Sequence, residues 1–243
     1  MNLVGKHIVI TGAASGIGLE LLKQLHDDNE ISVIARPSPG LDDLRRSLPD
    51  VHVQEADLAD LQSVERAADL LIRSGRKIDV LINNAAVQYT PHFLAKDFRY
   101  ETIRREIDIN FTSLCSLIYL LLPNLLQSSP SMIVNINSGL GLVPKTGSAV
   151  YCATKGALNI FSQSLAYQLE DTNIGVKQVF LPLVDTAMTK GRGAAKITAE
   201  NAASEIIRGM QKPGANIDIG KVKLLRLIQR ISPTLAQKIM KAG

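Results

Sequence analysis

Tyr151 and Lys155 stand four positions apart in the segment YCATK, a spacing that places both side chains on one face of a helix. A phenol has an unperturbed pKa of about 10 and exchanges protons poorly at neutral pH. An ammonium group one turn away stabilises the phenolate and lowers that pKa. The pair therefore predicts a general acid/base, with Tyr151 as proton donor or acceptor. The spacing alone leaves an exposed tyrosine beside a lysine as the alternative.

A glycine-rich turn, TGAASGIG, occupies residues 11–18 directly after the first apolar run. Gly12 permits a sharp exit from a strand, Gly16 permits close approach of a phosphate, and Gly18 permits close packing of the following helix. The free N–H groups at a helix N-terminus attract anions. We therefore predict a dinucleotide-binding turn, with an ordinary glycine-rich turn as the alternative. Its predicted contact residues are Gly12, Ala14, Ser15, Gly16, Ile17 and Gly18.

Arg36 ends the second apolar run, and no acidic residue stands in the loop that follows directly. An acidic residue at this position would hydrogen-bond the 2′-hydroxyl of an adenosine ribose, whereas an arginine accepts a 2′-phosphate. The sequence therefore favours NADP(H) as the cofactor. NAD(H) stays open, because an arginine can equally be a solvated surface residue.

The composition excludes several classes of protein. The chain has 243 residues, 46% of them apolar and 4% aromatic, with no tryptophan, which argues against a stacking platform for nucleic acid. Cys115 and Cys152 lie in apolar, helix-like stretches, as expected in a reducing compartment. The apolar run 114–122 is shorter than the about 20 residues that span a bilayer. We expect a cytoplasmic protein that binds neither nucleic acid nor metal.

Short β-branched runs alternate with longer stretches of helical period, the pattern of a parallel sheet covered by helices on both faces. The predicted strands are His7–Thr11, Ile31–Ala35, Val51–Glu55, Val80–Asn83, Met132–Asn137, Gly175–Leu181 and Asn216–Ile219. The predicted helices begin near Gly16, Leu41, Leu61, Arg99, Tyr151 and Ala199. With no linker or repeat to divide it, we expect residues 1–243 to form one domain.

With these elements in place, the sequence resembles the short-chain dehydrogenase/reductase family over essentially its whole length. The matching motifs are TGAASGIG at 11–18, Asp57-Leu58, NNAA at 83–86, Asn110, Ser138 and YCATK at 151–155. The resemblance implies one doubly wound Rossmann-type sheet of about seven strands, and a homodimer or homotetramer. YCATK with the later LVDT also resembles the members encoded with genes for D-alanylation of lipoteichoic acid.

The resemblance implies a role for each matching residue. Ser138 would hydrogen-bond the substrate oxygen, Lys155 would also hold the nicotinamide ribose, and Asn110 would hold a water in a proton relay. At the adenosine, Asp57 would accept a hydrogen bond from the adenine amino group. The remaining predicted cofactor contacts are Leu58, Asn84, Val184 and Thr186.

Two positions depart from the family pattern. Ala86 stands where the family usually has the glycine of NNAG, and its methyl group would narrow that space or be absorbed by a small backbone shift. Leu181-Pro182 stands where the family commonly has Pro-Gly, just before Val184 and Thr186. The predicted anchor for the nicotinamide carboxamide is therefore weaker than the other contacts.

Apolar residues follow the catalytic Ser138 and the sixth strand, and they predict an apolar ketone, aldehyde or alcohol as the substrate. The predicted lining residues are Leu140, Leu142, Val143, Leu183 and Met188. Residues 187–200, which include the glycine-rich, basic run TKGRGAAK, suit a mobile lid, with a solvated loop as the alternative.

The C-terminal segment, residues 221–243, carries six basic residues and no acidic one, so the net charge of +4 describes this segment rather than the whole chain. Leu224, Leu227 and Ile231 fall on one helical face, and Ser232-Pro233 predicts a break before a second helix. A basic amphipathic helix can lie on an anionic membrane. The alternatives are packing on its own domain, on a second subunit or at the mouth of the active site.

Together these features predict reversible hydride transfer between NADP(H) and a carbonyl/alcohol pair, with Asn110, Ser138, Tyr151 and Lys155 as the catalytic residues. An NAD(H)-preferring alcohol dehydrogenase is the alternative within this class. A sensor or scaffold that binds the dinucleotide without turnover is the alternative outside it. Loss of Ser138, Tyr151 or Lys155 would mark such a protein, and this chain retains all of them.

Overall fold

Strands and helices alternate along the chain in this computed structural model, which describes residues 1–89 and 92–241. The strands are β1 (His7–Thr11), β2 (Glu30–Ala35), β3 (His52–Glu55), β4 (Val80–Asn83), β5 (Ser131–Ser138), β6 (Ile174–Leu181), β7 (Val184–Asp185), β8 (Ile197–Thr198) and β9 (Asn216–Asp218). The helices are α1 (Gly16–His26), α2 (Pro39–Ser47), α3 (Leu61–Arg73), α4 (Glu101–Ile107), α5 (Ser113–Leu126), α6 (Ala149–Gln168), α7 (Ala199–Gln211), α8 (Val222–Ile231) and α9 (Pro233–Lys241).

Seven strands form one parallel sheet in the order β3-β2-β1-β4-β5-β6-β9. The chain runs outward from β1 to β3 and then returns to place β4 on the other side of β1. Ile10 of β1 is therefore paired with Val33 of β2 on one side and with Ile82 of β4 on the other. This reversal between β1 and β4 creates a crevice at the carboxyl ends of the strands, where open α/β sheets bind ligands. The predicted doubly wound Rossmann-type fold is confirmed.

Apolar side chains fill both faces of the sheet. Along β1, Ile8 and Ile10 point into the cluster beneath α1 and α7, whereas Val9 points into the cluster beneath α3, α5 and α6. Each of these three side chains is fully buried. Burying such a side chain contributes roughly 1.5–3 kcal/mol, so the two clusters hold the strand ends rigidly where the motifs emerge.

The predicted elements match the observed ones closely, with most strand limits within one residue. The differences lie at helix ends, where α2 begins at Pro39, α4 at Glu101 and α6 at Ala149, and in the short strands β7 and β8, which the sequence does not predict. Between α4 and α5, residues Asp108–Thr112 form a π-helical turn that contains Asn110. Apolar periodicity cannot reveal such a turn, because it changes the backbone hydrogen bonds and leaves the residue pattern almost unaltered.

The segment Glu101–Leu126 is continuously helical, and it is long and apolar enough to cross a membrane by length and composition. Half of its most apolar stretch is buried within the fold, where Leu117 and Leu121 pack in the cluster beneath α3, α5 and α6. A core helix has this pattern. The short apolar run identified in the sequence lies inside this longer helix.

The C-terminal segment forms α8 and α9, and the chain breaks between them at Ser232, as the Ser232-Pro233 pair predicts. Residues 242–243 of the predicted segment lie outside the described residues. A separate two-stranded sheet joins Val184 of β7 to Ile197 of β8 and closes the base of the predicted lid.

Candidate active site

A cavity of about 1030 Å³ opens at the carboxyl ends of the central strands. It brings together predicted residues from both ends of the chain. Those that line it are Gly12, Ala14, Ser15, Gly16, Ile17, Arg36, Asp57, Leu58, Asn84, Ser138, Leu140, Tyr151, Lys155, Leu183, Val184, Thr186 and Met188. Gly18 and Asn110, which were also predicted, and Leu142 and Val143 lie outside this lining.

The turn after β1 is held open by a network of hydrogen bonds. Asn84 Nδ2 donates to the carbonyl oxygens of Thr11 (3.0 Å) and Gly12 (3.2 Å), and Thr11 Oγ1 accepts from the N–H of Asn84 and of Ala85. Gly12 has φ +71°, and a β-carbon there would lie 2.9 Å from Ala85 Cα. Only glycine can occupy position 12, because any β-carbon there would be too close to Ala85. The side chain of Asn84 therefore supports the turn from below.

Gly18 has a different position from the other glycines of the motif. A β-carbon there would lie 2.5 Å from Asn84 Nδ2 and closer still to the carbonyl oxygen of Gly12. Its lack of a side chain allows α1 to begin directly against the turn, which is why it stands behind the cavity. Gly16, in contrast, faces Thr186, whose Cγ2 would be 3.3 Å from an added β-carbon.

At the far end of the cavity, Asp57 accepts hydrogen bonds from Ala59 N–H (3.0 Å) and from the Arg105 guanidinium (3.1 Å). Burial favours the neutral carboxyl, but these two donors, together with the positive charges of Arg105 and Arg36, outweigh it and lower the pKa of Asp57 below its usual value. Arg36 lies nearby and is exposed. In the described part of the chain, no carboxylate lies within ion-pair distance of Arg36, so its guanidinium is available to a ligand.

Three of the four predicted catalytic residues, Ser138, Tyr151 and Lys155, converge at the opposite end. Ser138 is the last residue of β5, and its Oγ accepts from Leu140 N–H at 3.1 Å. Tyr151 and Lys155 occupy the first turns of α6, and Lys155 Nζ lies 5.7 Å from the centroid of the Tyr151 ring. Lys155 Nζ also donates to the carbonyl oxygen of Ile136 at 2.8 Å, which fixes the ammonium at the cavity wall.

Burial controls the proton affinities of this pair. It raises the pKa of Tyr151 above its ordinary value, with a smaller contribution from the carboxyl of Glu106, whereas a hydrogen bond with Ser138 acts in the opposite direction. Burial also lowers the pKa of Lys155 to about 8. The protein alone therefore holds the phenol neutral and holds an ammonium that releases its proton readily.

Asn110 is buried in the π-helical turn and uses its whole side-chain amide. Its Oδ1 accepts from Val87 N–H at 2.8 Å, and its Nδ2 donates to the Val87 carbonyl oxygen at 2.8 Å and to Thr154 Oγ1 at 3.3 Å. These bonds tie the irregular segment that follows β4 to the catalytic helix. The water-holding role of Asn110 stays a prediction.

Val184 and Thr186, the predicted nicotinamide contacts, line the cavity despite the unusual Leu181-Pro182 before them. Thr189 Oγ1 accepts from Thr186 N–H at 3.2 Å and donates to the Val184 carbonyl oxygen at 2.5 Å. These two hydrogen bonds fix the shape of the loop, although the loop lacks the Pro-Gly pair that the family commonly has. Ala86 also lines the cavity, so its methyl group does occupy space there.

The predicted lid is linked to the catalytic helix by contacts that the sequence does not reveal. Arg192 donates to Gln88 Oε1 at 2.6 Å and to the Gln88 carbonyl oxygen at 3.3 Å, and Gln88 Nε2 donates to Ser148 Oγ at 3.1 Å. Ser148 directly precedes α6. Glycines 191 and 193 on either side of Arg192 adopt positive φ, which allows the loop to fold back over the cavity.

The C-terminal helices form the apolar wall of the cavity. Side chains of both helices line it beside Leu140, Leu183 and Met188, namely Leu224, Leu225, Ile228, Ile239 and Met240. Gln229 Nε2 fastens α8 by donating to the Leu142 carbonyl oxygen at 2.9 Å. The sequence leaves open where the apolar face of the C-terminal segment packs, and the structure places that face at the mouth of the cavity.

Glu106 is a buried carboxyl group, 2% exposed, in a stretch whose charged neighbours suggest a surface helix. Its Oε1 accepts from Tyr89 N–H at 3.0 Å. Burial raises the pKa of Glu106 to about 7, against opposing effects of that hydrogen bond and of Arg192. The folded protein therefore binds this proton more tightly than the unfolded chain does.

Because of this raised pKa, Glu106 should make the folded protein less stable as pH rises. The stabilisation is complete below the ordinary carboxyl pKa of 4.5 and is lost as pH passes through about 7. We expect Glu106→Gln to remove up to about 3 kcal/mol of this pH dependence, measured by urea unfolding between those limits. Glu65→Gln, an exposed carboxyl on α3, serves as control. An identical pH dependence in all three proteins would contradict the raised pKa.

Comparison with known proteins supports the family and the fold. Residues 6–197 match the short chain dehydrogenase family. The chain is 33% identical over 207 residues to the uncharacterized oxidoreductase DltE of Bacillus subtilis, covering 84% of this chain and 82% of DltE. A short chain dehydrogenase from Burkholderia cenocepacia in complex with NADP has a TM-score of 0.88 at 22% identity, covering 99% of each chain. One from Burkholderia phymatum in complex with NAD has a TM-score of 0.83 at 19% identity, covering 95% of this chain and 96% of that chain.

The family match spans most of the chain and ends just before α7. The similarity to DltE confirms the resemblance to the members encoded with D-alanylation genes. The two solved structures resemble this chain over nearly the full length, which supports the fold independently of the motifs. This chain belongs to the short-chain dehydrogenase/reductase family of oxidoreductases.

Proposed function

We propose that this protein transfers a hydride between NADP(H) and an apolar carbonyl/alcohol substrate, with Tyr151 as general acid/base. The observation that carries the proposal is the convergence of Ser138, Tyr151 and Lys155 on the same cavity that the glycine-rich turn enters from the other end. A dinucleotide has this extended shape, with its phosphates between two ring systems.

The residues present fit such a cofactor. Gly16 leaves a space facing Thr186 that a β-carbon would enter, Gly12 lets the turn pack closely against Ala85, and the N-terminus of α1 lines the cavity with free N–H groups. Arg36, Asp57 and the Leu58 backbone would hold the adenosine end, with Asn84 beneath the ribose. Lys155 would hold the second ribose, and Val184 and Thr186 would contact the carboxamide. The bound nicotinamide supplies or accepts the hydride.

Proton transfer follows from the catalytic residues. In the direction of reduction, the Tyr151 hydroxyl would donate its proton to the substrate oxygen while the Ser138 hydroxyl hydrogen-bonds the same oxygen. Positive charge on Lys155 and on an oxidised nicotinamide would offset the burial that raises the pKa of Tyr151. Lys155, with its pKa near 8, is suited to return a proton, and Asn110 would complete the relay to solvent.

The apolar cavity wall supports an apolar substrate. Leucine, isoleucine and methionine side chains from α8, α9 and the loops surround the space beside Ser138. We expect turnover of ketones and aldehydes to improve as their alkyl chains lengthen, because each buried methylene gains about 0.8 kcal/mol. Turnover of small polar sugars without turnover of alkyl ketones, measured by NADPH consumption, would contradict this assignment.

NADP(H) is the preferred cofactor in this proposal because Arg36 is exposed at the adenosine end and has no carboxylate partner among the described residues. We expect Arg36→Ser to reduce the NADPH-over-NADH preference by about 30-fold, as for loss of a charge-assisted hydrogen bond. The measurement is kcat/KM for both cofactors. Arg73→Ser, an exposed arginine of α3, should leave the ratio unchanged. An equal ratio in native protein and Arg36→Ser would show that Arg36 does not recognise the 2′-phosphate.

A homodimer or homotetramer is also part of the proposal. Helices α5 and α6 carry large apolar side chains on their outer surface, with Tyr119 75%, Ile160 67% and Tyr167 74% exposed. Exposed apolar clusters of this kind are typical of subunit interfaces. Association through these helices would bury the exposed face of the helix that carries Tyr151 without obstructing the cavity. The cytoplasmic location predicted from the sequence remains a proposal.

A further inference from the structure

Helix α8 presents one continuous apolar face that passes from the cavity to the outer surface. Leu225 and Ile228 line the cavity, and Leu224 lines it while remaining 59% exposed. Further round the same helix, Leu227 is 54% and Ile231 77% exposed. The cavity wall and the outer surface are therefore parts of a single apolar face.

Helix α9 extends this surface. Leu235 is 48% exposed, and Ile239 is 47% exposed while also lining the cavity. Five large apolar side chains, Leu224, Leu227, Ile231, Leu235 and Ile239, thus surround the mouth, and we call them the mouth surface. Contiguous exposed apolar patches of this kind mark interaction sites in folded proteins.

The exposed charges on α8 and α9 are of one sign. Lys223, Arg230, Lys238 and Lys241 are exposed on these helices, Lys221 is exposed directly before α8, and Lys190 is exposed on the lid. Arg226 is instead directed inward, where it pairs with Asp218 and lies 4.4 Å from the centroid of the Phe180 ring. No acidic residue occurs in the whole segment 221–241, so these two helices contribute only positive charge at the mouth.

The charge pattern selects one occupant for the mouth surface. A second copy of the chain, related by a two-fold axis, would bring the same cations opposite one another, and such like-charge contacts oppose association. An anionic bilayer offers both complements at once: acyl chains for the apolar side chains and headgroups for the flanking lysines and arginines.

We propose that the mouth surface docks on an anionic lipid bilayer, so that the cavity opens directly into the membrane interface. An apolar carbonyl compound dissolved in the lipid then reaches Ser138 and Tyr151 without crossing water. The docking itself does not require catalysis, whereas the route for substrate rests on the function proposed above.

Vesicle co-sedimentation of the full-length chain tests the docking. We expect binding to phosphatidylcholine vesicles that contain phosphatidylglycerol, and at least about tenfold weaker binding to phosphatidylcholine alone. Leu227→Ser/Ile231→Ser and Lys223→Gln/Arg230→Gln should each weaken binding to the anionic vesicles about tenfold or more. Leu70→Ser/Arg73→Ser is the matched control on α3, where Leu70 is 55% exposed, and it should bind like the native protein.

Three results would overturn the docking. One is equal binding to neutral and anionic vesicles, and another is unchanged binding by both mouth-surface variants. The third is a lower oligomeric state of Leu227→Ser/Ile231→Ser in analytical ultracentrifugation without lipid, which would assign the surface to a second copy. Leu227 and Ile231 lie outside the cavity lining, so the variant should retain native turnover of a water-soluble ketone. That assay separates failure of the docking from failure of the proposed reaction.

Discussion

Replacing Tyr151 with phenylalanine should lower kcat/KM for carbonyl reduction by about 10²–10⁴-fold, the usual contribution of a positioned general acid. The phenyl ring fills the same buried space, so the fold and the cavity should persist. Affinity for NADPH, measured by fluorescence titration, should change by no more than about threefold, since only one hydroxyl group is lost.

The control for this substitution is Tyr167→Phe, which removes a hydroxyl from an exposed tyrosine on the same helix. It should retain native activity. If Tyr151→Phe reduced carbonyl substrates as fast as the native protein, another group would have to supply the proton, and the assignment of Tyr151 would be wrong.

Replacing Lys155 with methionine should lower kcat/KM by a similar factor, about 10²–10⁴-fold, and should also weaken NADPH binding, because the proposed ribose contact is lost with the charge.

The same substitution should change how stability depends on pH. Since burial lowers the pKa of Lys155 to about 8, the folded protein binds this proton less tightly than the unfolded chain does. Stability therefore rises with pH from about 8 towards the ordinary lysine pKa of 10.5, and methionine should remove that rise.

Lys177→Met provides the matched control. Lys177 is also largely buried, its pKa is also lowered by burial, and its Nζ donates to the carbonyl oxygens of Lys212 (2.7 Å) and Gly214 (2.6 Å). It lies outside the cavity lining and should leave kcat/KM unchanged. A loss of activity at Lys177 equal to that at Lys155 would indicate that both lysines act through the fold.

Local patterns were sufficient to predict much of this molecule. The strand limits of β1 and β4 follow from apolar runs that end at Gly12 and at Asn84, where the chain must turn. The catalytic helix follows from its apolar period, and the order of the motifs places Ser138 and Tyr151 at the same edge of the sheet. Each of these inferences depends on neighbours in sequence or on the fixed geometry of parallel strands.

Contacts between distant residues could not be predicted in the same way. Glu106 stands among charged neighbours that are typical of a surface helix, yet long-range packing buries it. The Arg192–Gln88 bond joins residues 104 positions apart and depends on how the lid folds. Likewise, the amphipathic pattern of α8 indicates that one face of the helix is covered but does not identify what covers it. The packing of α8 beside Leu142 is visible only in the structure.

The central claim is hydride transfer from NADPH to an apolar carbonyl carbon, and isotope transfer tests it most directly. NADPH deuterated at the transferable position of the nicotinamide ring should be incubated with a series of alkyl ketones and aldehydes of increasing length. With the native protein, we predict that mass spectrometry detects one deuterium on the carbinol carbon of the product. With Tyr151→Phe, we predict the same product formed at a far lower rate. Binding of NADPH without deuterium transfer to any member of the series would contradict the account and would indicate a dinucleotide-binding protein without this activity.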